Sequence, residues 1–292
     1  MLSRRFNPIA FLLAMAFGFA WVIALEAAEG PPGHSAELGS ILLATTTSTQ
    51  DSGLLDELLP AFQKETGHFV KTIAVGSGQA IAMARRGEAD VLLVHSPEDE
   101  ARLLDEGNAV DRRRVMHNEF VVAGPPGDPA RIRGAETAVE AFRKIAAART
   151  LFLSRGDHSG THAREMKIWE ASGVLPEGQR WYQQTGLGMG DTLNVASEKG
   201  GYTLTDRGTF LVLRRNRGLS LEILVQGEPG LLNVYHVLTV SPAKWPRVNL
   251  RGAKALAEFL VSDQAQDIIR NFGKVPFGAP LFFPDAGKDA VQ

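Results

Sequence analysis

The chain has 292 residues, 44% hydrophobic and 22% charged, with a formal net charge of −2. This is the composition of a globular protein long enough for one large domain or two modest ones, and it argues against a nucleic-acid binder relying on a broad basic face. Cysteine is absent, which excludes disulfides, zinc thiolates, a thiol nucleophile and a lipoprotein anchor.

Arg4 and Arg5 precede an apolar stretch over residues 9–25, and small residues follow around Ala27 and Ala28. A basic start, an apolar middle and a small-residue cleavage point predict a cleaved secretory leader over residues 1–28. The rival reading is an uncleaved anchor, since the stretch sits at the short edge of a membrane span. On the leader reading the mature chain is exported to the periplasm.

Strand and helix signals then alternate. Residues 41–44 form a short apolar strand, and Leu54, Leu55, Leu58, Leu59 and Phe62 recur at helical spacing up to Gly67, with Pro60 expected to kink that helix. Residues 71–75 read as a strand and Ser77-Gly78 as the start of a helix. Residues 91–94 are a third strand, and Ser96-Pro97 opens a third helix. This order predicts a parallel sheet flanked by helices. A second set follows, with strands at 120–123, 151–153, 202–204, 223–225 and 234–240. Its helices are expected at 136–148, from the SRGDHSGTH loop to Gly173, at about 192–199 and at 206–214. Residues 252–272 read as an amphipathic helical segment that breaks near Ser262-Asp263. The simplest architecture has two α/β lobes. Residues 38–121 and 231–292 would form one and residues 122–230 the other, with the strands near 120 and 235 crossing between them. Ligands in such folds bind beyond the carboxyl ends of strands.

Three of those strand ends share a chemistry. Residues 45–48 read TTTS, residues 76–79 read GSGQ, and residues 154–162 read SRGDHSGTH. Each places hydroxyls and backbone amides at a helix start, where unsatisfied N–H groups and the helix dipole favour an anion. Hydroxyls there also serve as plain N-caps, and a single cluster would mean no more than that. Arg155 supplies the one full positive charge in these loops, in a planar form suited to an oxyanion. The helix after Ser96-Pro97 is a contrast: Glu98, Asp99 and Glu100 neutralise its own dipole, which takes that terminus out of the site. Asp51 is assigned to the first turn of its helix, and Asp157 to pairing with Arg155 or to bonding its own loop amides. His158 and His162 stand four apart, as metal ligands do, but no third ligand has matching spacing. Ser159 with His158 would suit a secreted hydrolase, yet no Gly-x-Ser-x-Gly elbow surrounds the serine. Trp169, Trp181 and Trp245 read as core or interface packing.

The segments TTTSTQDSGLL, VGSGQA, LFLSRGDHSGTHARE and GLGMGDTLNVASEKGGYTLTDRGTFL, in that order and spacing, resemble the tungstate-binding proteins of ABC importers. The resemblance covers roughly residues 40–285. It implies an α/β, two-lobed type II periplasmic binding protein fold, with two crossing strands and an oxyanion in the cleft. It also implies an anion held by Thr46, Thr47, Ser48, Ser77, Arg155, Ser159 and Thr161. The ligand would be tungstate, with molybdate as near competitor and a phosphate or sulfate binder as the alternative. The implied partners are a membrane permease and its ATPase. The expectations are completed by a monomer without cofactor, metal site, nucleic acid or catalysis. A sensory module that presents an anion to a receptor is a further alternative.

Overall fold

The fold is seen in a computed structural model that describes residues 39–288. The leader expected over residues 1–28 lies outside the described residues. The first half of the chain runs β1 (Ile41–Thr46), α1 (Thr47–Asp51), α2 (Leu55–Thr66), β2 (Val70–Val75), α3 (Ser77–Arg85), β3 (Val91–Val94), α4 (Pro97–Asp105) and β4 (Ala109–Gly124). It continues through α5 (Ala138–Ala148), β5 (Phe152–Ser154), α6 (Gly160–Ser172), β6 (Tyr182–Gln184), α7 (Met189–Lys199), β7 (Thr203–Asp206), α8 (Arg207–Arg217) and β8 (Glu222–Val225). After a 3-10 turn at Pro229–Leu231 come β9 (Leu232–Val240), α9 (Leu250–Leu260), α10 (Asp263–Asn271), α11 (Lys274–Phe277) and β10 (Phe283–Pro284).

Among the described residues the main sheet has eight strands. Its path is β10-β4-β9-β3-β1-β2, with β7 and β8 also paired to β4. β1 is parallel to both β2 and β3, as expected for β-α-β units, whereas β9 is antiparallel to β3 and to β4. The parallel trio therefore delivers Thr46, Val75 and Val94 to one edge of the sheet, where their following helices begin.

Two of the four core clusters among the described residues flank the crossing strands. Ile41, Leu43, Phe62, Leu93, Val237 and Phe282 pack in one cluster, and Phe120, Phe142, Phe152, Trp169, Tyr202 and Leu231 in another. Each such side chain contributes roughly 1.5–3 kcal/mol of hydrophobic stabilisation. Trp169 is fully buried against Phe142, with ring centroids 4.3 Å apart, and Trp181 and Trp245 also pack into cores. Among the described residues no helix is long and apolar enough to cross a membrane.

Several expectations shift. The helix expected from Leu54 is preceded by a separate five-residue helix, α1, and Gly53 at φ 81° makes the turn between them. The TTTS segment thus caps α1 rather than α2. Asp51 ends α1, so it lies at a helix C-terminus and not in a first turn. Helix α2 runs through Pro60 without interruption. The crossing strand β4 has 16 residues and starts at Ala109, well before the expected 120. Its run Asp111-Arg112-Arg113-Arg114 falls in none of the elements expected from sequence. In the fold, Arg112 bonds the fully buried Glu100 of α4, and Arg114 bonds the fully buried Asp285. The break expected near Ser262-Asp263 is present, with the Ser262 hydroxyl capping α10.

Candidate oxyanion site

Thr46 closes β1 in extended conformation, and its Oγ1 accepts the amide of Thr49 at 3.3 Å. The same oxygen lies 3.1 Å from Ser48 Oγ and 2.7 Å from Thr49 Oγ1. Thr45 points to the sheet instead, donating to the Leu93 carbonyl at 2.7 Å. Thr47 Oγ1 accepts from Arg155 Nη2 at 3.2 Å, which joins the start of α1 to the β5–α6 loop. Ser159 caps α6, its Oγ accepting the His162 amide at 3.2 Å. A hydroxyl that accepts a cap bond still has its own proton to donate, so a cap and a ligand donor coexist in one side chain.

Glycines set how closely these helix starts approach. A Cβ on Gly76 would lie 3.3 Å from the Cα of Ser159, and one on Gly78 would lie 2.6 Å from the carbonyl oxygen of His158. Gly156 has φ 60°, a conformation that favours glycine, and turns the loop between Arg155 and Asp157. The structure thereby brings the 46–48, 77, 155 and 159–161 segments together. Within them Ser77 Oγ, Thr161 Oγ1 and Arg155 Nη1 are buried without a hydrogen-bond partner among the described residues. Buried polar atoms are normally paired, and three orphaned donor groups in adjoining segments match a ligand made only of acceptor oxygens.

Arg155 is 1% exposed. Its Nη2 pairs with Asp157 Oδ2 at 2.5 Å, and Asp157 Oδ1 accepts the Ser159 amide at 3.2 Å. Asp157 therefore both orients the guanidinium and bonds its own loop. Burial pulls the Arg155 pKa down, opposed by the carboxylates of Asp157, Asp206 and Asp51. Asp51 takes the backbone amide of Gly190, in the first turn of α7, and burial raises its pKa.

Sequence reasoning missed residues around this centre. His95, between β3 and α4, is 4% exposed, and a Cβ on Gly160 would sit 2.9 Å from its ring. Burial and then the Arg155 charge push its pKa down to about 3, so it is neutral at pH 7. A cavity of about 150 Å³ runs beside it, between Gly160, Arg164 and Asn233. Setting aside the α4 terminus hid this residue. The helix itself does spend its first turn internally, since Glu100 accepts the Ser96 amide. Asp206 and Thr209 were also missed. Thr209 donates to the Ser48 carbonyl at 3.2 Å, and Asp206 caps α8. The "TDRGT" helix start reads as an ordinary cap, and although it lies in one of the segments that carry the family resemblance, no ligand role is drawn from it.

The hydrolase and metal alternatives gain no geometry. Ser159 Oγ is engaged by an amide and not by an imidazole. His162 Nδ1 accepts the backbone amide of His158 at 3.1 Å, which occupies that nitrogen. Among the described residues no three His, Asp or Glu side chains gather as a metal site.

A family model for the PBP superfamily domain matches residues 30–264. The tungstate-binding protein TupA of Peptoclostridium acidaminophilum is 43% identical over 289 residues, covering 98% of this chain and all of that protein. Among solved structures, the tungstate ABC transporter protein of Geobacter sulfurreducens aligns with a TM-score of 0.73 at 42% identity, over 80% of this chain and 98% of that one. The tungstate-binding protein TupA of Desulfovibrio alaskensis G20 aligns with a TM-score of 0.71, also at 42% identity, over 85% and 99% of the two chains. A buried arginine among orphaned donors, in a two-lobed α/β frame, sits in a chain that belongs to the PBP superfamily and, within it, to the family of the tungstate-binding proteins.

Proposed function

We propose that the protein is the extracytoplasmic solute-binding component of an ABC importer, that it captures tungstate, with molybdate as the near competitor, and that it performs no catalysis. Thr46, Thr47, Ser48, Ser77, Arg155, Ser159 and Thr161 are assigned as its ligand-binding residues. The observation that carries this reading is the set of three buried, unpartnered donor groups on Ser77, Thr161 and Arg155. Tungstate is fully deprotonated near neutral pH and accepts hydrogen bonds only, so it satisfies all three. The names of the relatives narrow the anion to tungstate.

In this assignment residues 38–121 and 231–292 form one lobe and residues 122–230 the other. The separate core clusters support it, as does the passage of β4 and β9 between them. The Thr47–Arg155 and Ser48–Thr209 bonds then span the cleft, and an anion drawn between the lobes adds further bonds across it. The loaded protein, a monomer exported by its leader to the periplasm, docks on the permease. Calorimetric titration with tungstate, molybdate, sulfate and phosphate tests the reading. Saturable heat with tungstate is expected, and phosphate or sulfate binding in its place refutes it.

A further inference from the structure

We infer that anion capture at this site takes up one proton from solvent, and that Asp206 is the group that holds it. The inference rests on the oxyanion reading above. Asp206 is 1% exposed and stands between β7 and α8. Its Oδ1 is committed, accepting the Thr209 amide at 2.8 Å and lying 3.4 Å from Asn118 Nδ2. Its Oδ2 is buried with no hydrogen-bond partner among the described residues. The Thr209 hydroxyl also acts on this carboxylate, but its single proton is shared with the Ser48 carbonyl, to which Oγ1 donates at 3.2 Å.

The charges facing Asp206 make an ionised form costly once an anion arrives. Arg155 interacts with Asp206 and is already paired with Asp157, while Arg217 acts on Asp51 from beside Asp191. The carboxylates of Asp51 and Asp206 act on the same guanidinium, and Asp51 also acts on Asp206. Arg207, next in sequence, is turned away to Glu119 and Gln226. From β9 the facing group is Tyr235, buried and bonded by Asn233, and from β4 it is Asn118, both uncharged. With Arg155 already paired and Arg217 beside Asp191, a dianion added beside three carboxylates makes an ionised Asp206 costlier still. A proton on Oδ2 removes one of those charges and turns a surplus acceptor into a donor, which suits a ligand that only accepts. Burial already raises the Asp206 pKa to about 6 in the protein alone. A bound dianion raises it further, so the proton is taken up near neutral pH. The sign follows: affinity is fully present below the free-protein pKa and is lost as pH rises above it.

The test is calorimetric titration of the full-length protein with sodium tungstate at pH 6, 7 and 8. At each pH two phosphate-free buffers of different ionisation enthalpy are compared. Wild type is expected to take up close to one proton per anion at pH 7, and to lose affinity by up to about tenfold per pH unit above that. Asp206→Asn keeps the α8 cap and is expected to take up none, with an affinity that stays flat from pH 6 to 8. Tungstate heat without buffer dependence in wild type overturns the inference and leaves the oxyanion reading standing. Uptake that persists in Asp206→Asn overturns it as well. A variant that folds but binds over a hundredfold more weakly at every pH shows Asp206 acting as an ionised acceptor, again overturning it. Absence of any tungstate heat in wild type removes both readings.

Discussion

Gly78 offers a way to oppose closure without touching a single donor. It lies in the first turn of α3, and a Cβ there would meet the His158 carbonyl oxygen at 2.6 Å. Ordinary contact begins near 3.4 Å, so Gly78→Ala asks the 157–159 loop or α3 to retreat by about 0.8 Å. The obstacle is backbone, not the end of a flexible side chain, and overpacking of this kind costs roughly 1–3 kcal/mol. If α3 and the loop lie on opposite lobes, that cost falls on the closed state alone. Tungstate affinity should then drop by about 5- to 150-fold. Alanine is also the better helix former, by up to about 1 kcal/mol, so the ligand-free protein should melt no lower than wild type. Calorimetry, a melting curve and small-angle scattering with and without tungstate make the assay. The expected combination is weaker binding, an undiminished melting temperature and a smaller ligand-induced contraction. Unchanged affinity in a well-folded variant would refute the reasoning, because α3 and the loop would then not need this approach in the bound state.

Arg155→Ala is expected to weaken tungstate binding at least tenfold, since a charged hydrogen bond contributes roughly 1.5–3 kcal/mol. Arg155→Lys should recover only part of this because the planar fork is lost, and titration calorimetry decides both. Phosphate in large excess at neutral pH should not displace tungstate, and Asp157→Asn should cost a few-fold in affinity by loosening Arg155. Tight phosphate binding lost in that variant would make Asp157 a ligand acceptor. Glu165 is buried, accepts from Tyr182 at 2.8 Å and Trp169 at 3.2 Å, and has its pKa pushed up by burial to about 8. Its folded pKa exceeds the unfolded value, so stability is present below about pH 4.5 and is lost as pH rises towards 8. Glu165→Gln should remove that loss, on the order of a few kcal/mol. From pH 5 to 8 the melting temperature of wild type should fall relative to that of the variant, the difference isolating Glu165 from other buried groups.

The legible parts of this molecule were those where local chemistry and global role agree. The hydroxyl clusters after β1, β2 and β5 are helix caps by composition and lie at adjoining helix starts in the fold. The parallel order of the first three strands followed from their alternation with helices. What stayed hidden depends on partners distant in sequence. The arginine-rich start of β4 falls in no expected element, and only the fold sets Glu100 and Asp285 beside it. Asp51 looks like a first-turn carboxylate because the break at Gly53 separates α1 from α2, and its amide partner is Gly190 of α7. Asp206 has the same residue type and position as any capping aspartate. Only its burial and its second oxygen, without a hydrogen-bond partner among the described residues, set it apart.

The short strand β10 has a consequence for how the molecule meets its neighbours. It ends the main sheet, laying Phe283 and Pro284 along His117 and Met116 of β4. Without it β4 would present unpaired backbone groups around Met116 and His117, the kind of template on which another chain adds a strand. Proline has no amide hydrogen to offer outward, and Asp285, fully buried, fastens the cover through Arg114, His117 and Lys288. The edge of β4 is thereby covered at Met116 and His117, which leaves fewer free backbone groups there for a strand of another chain to pair with.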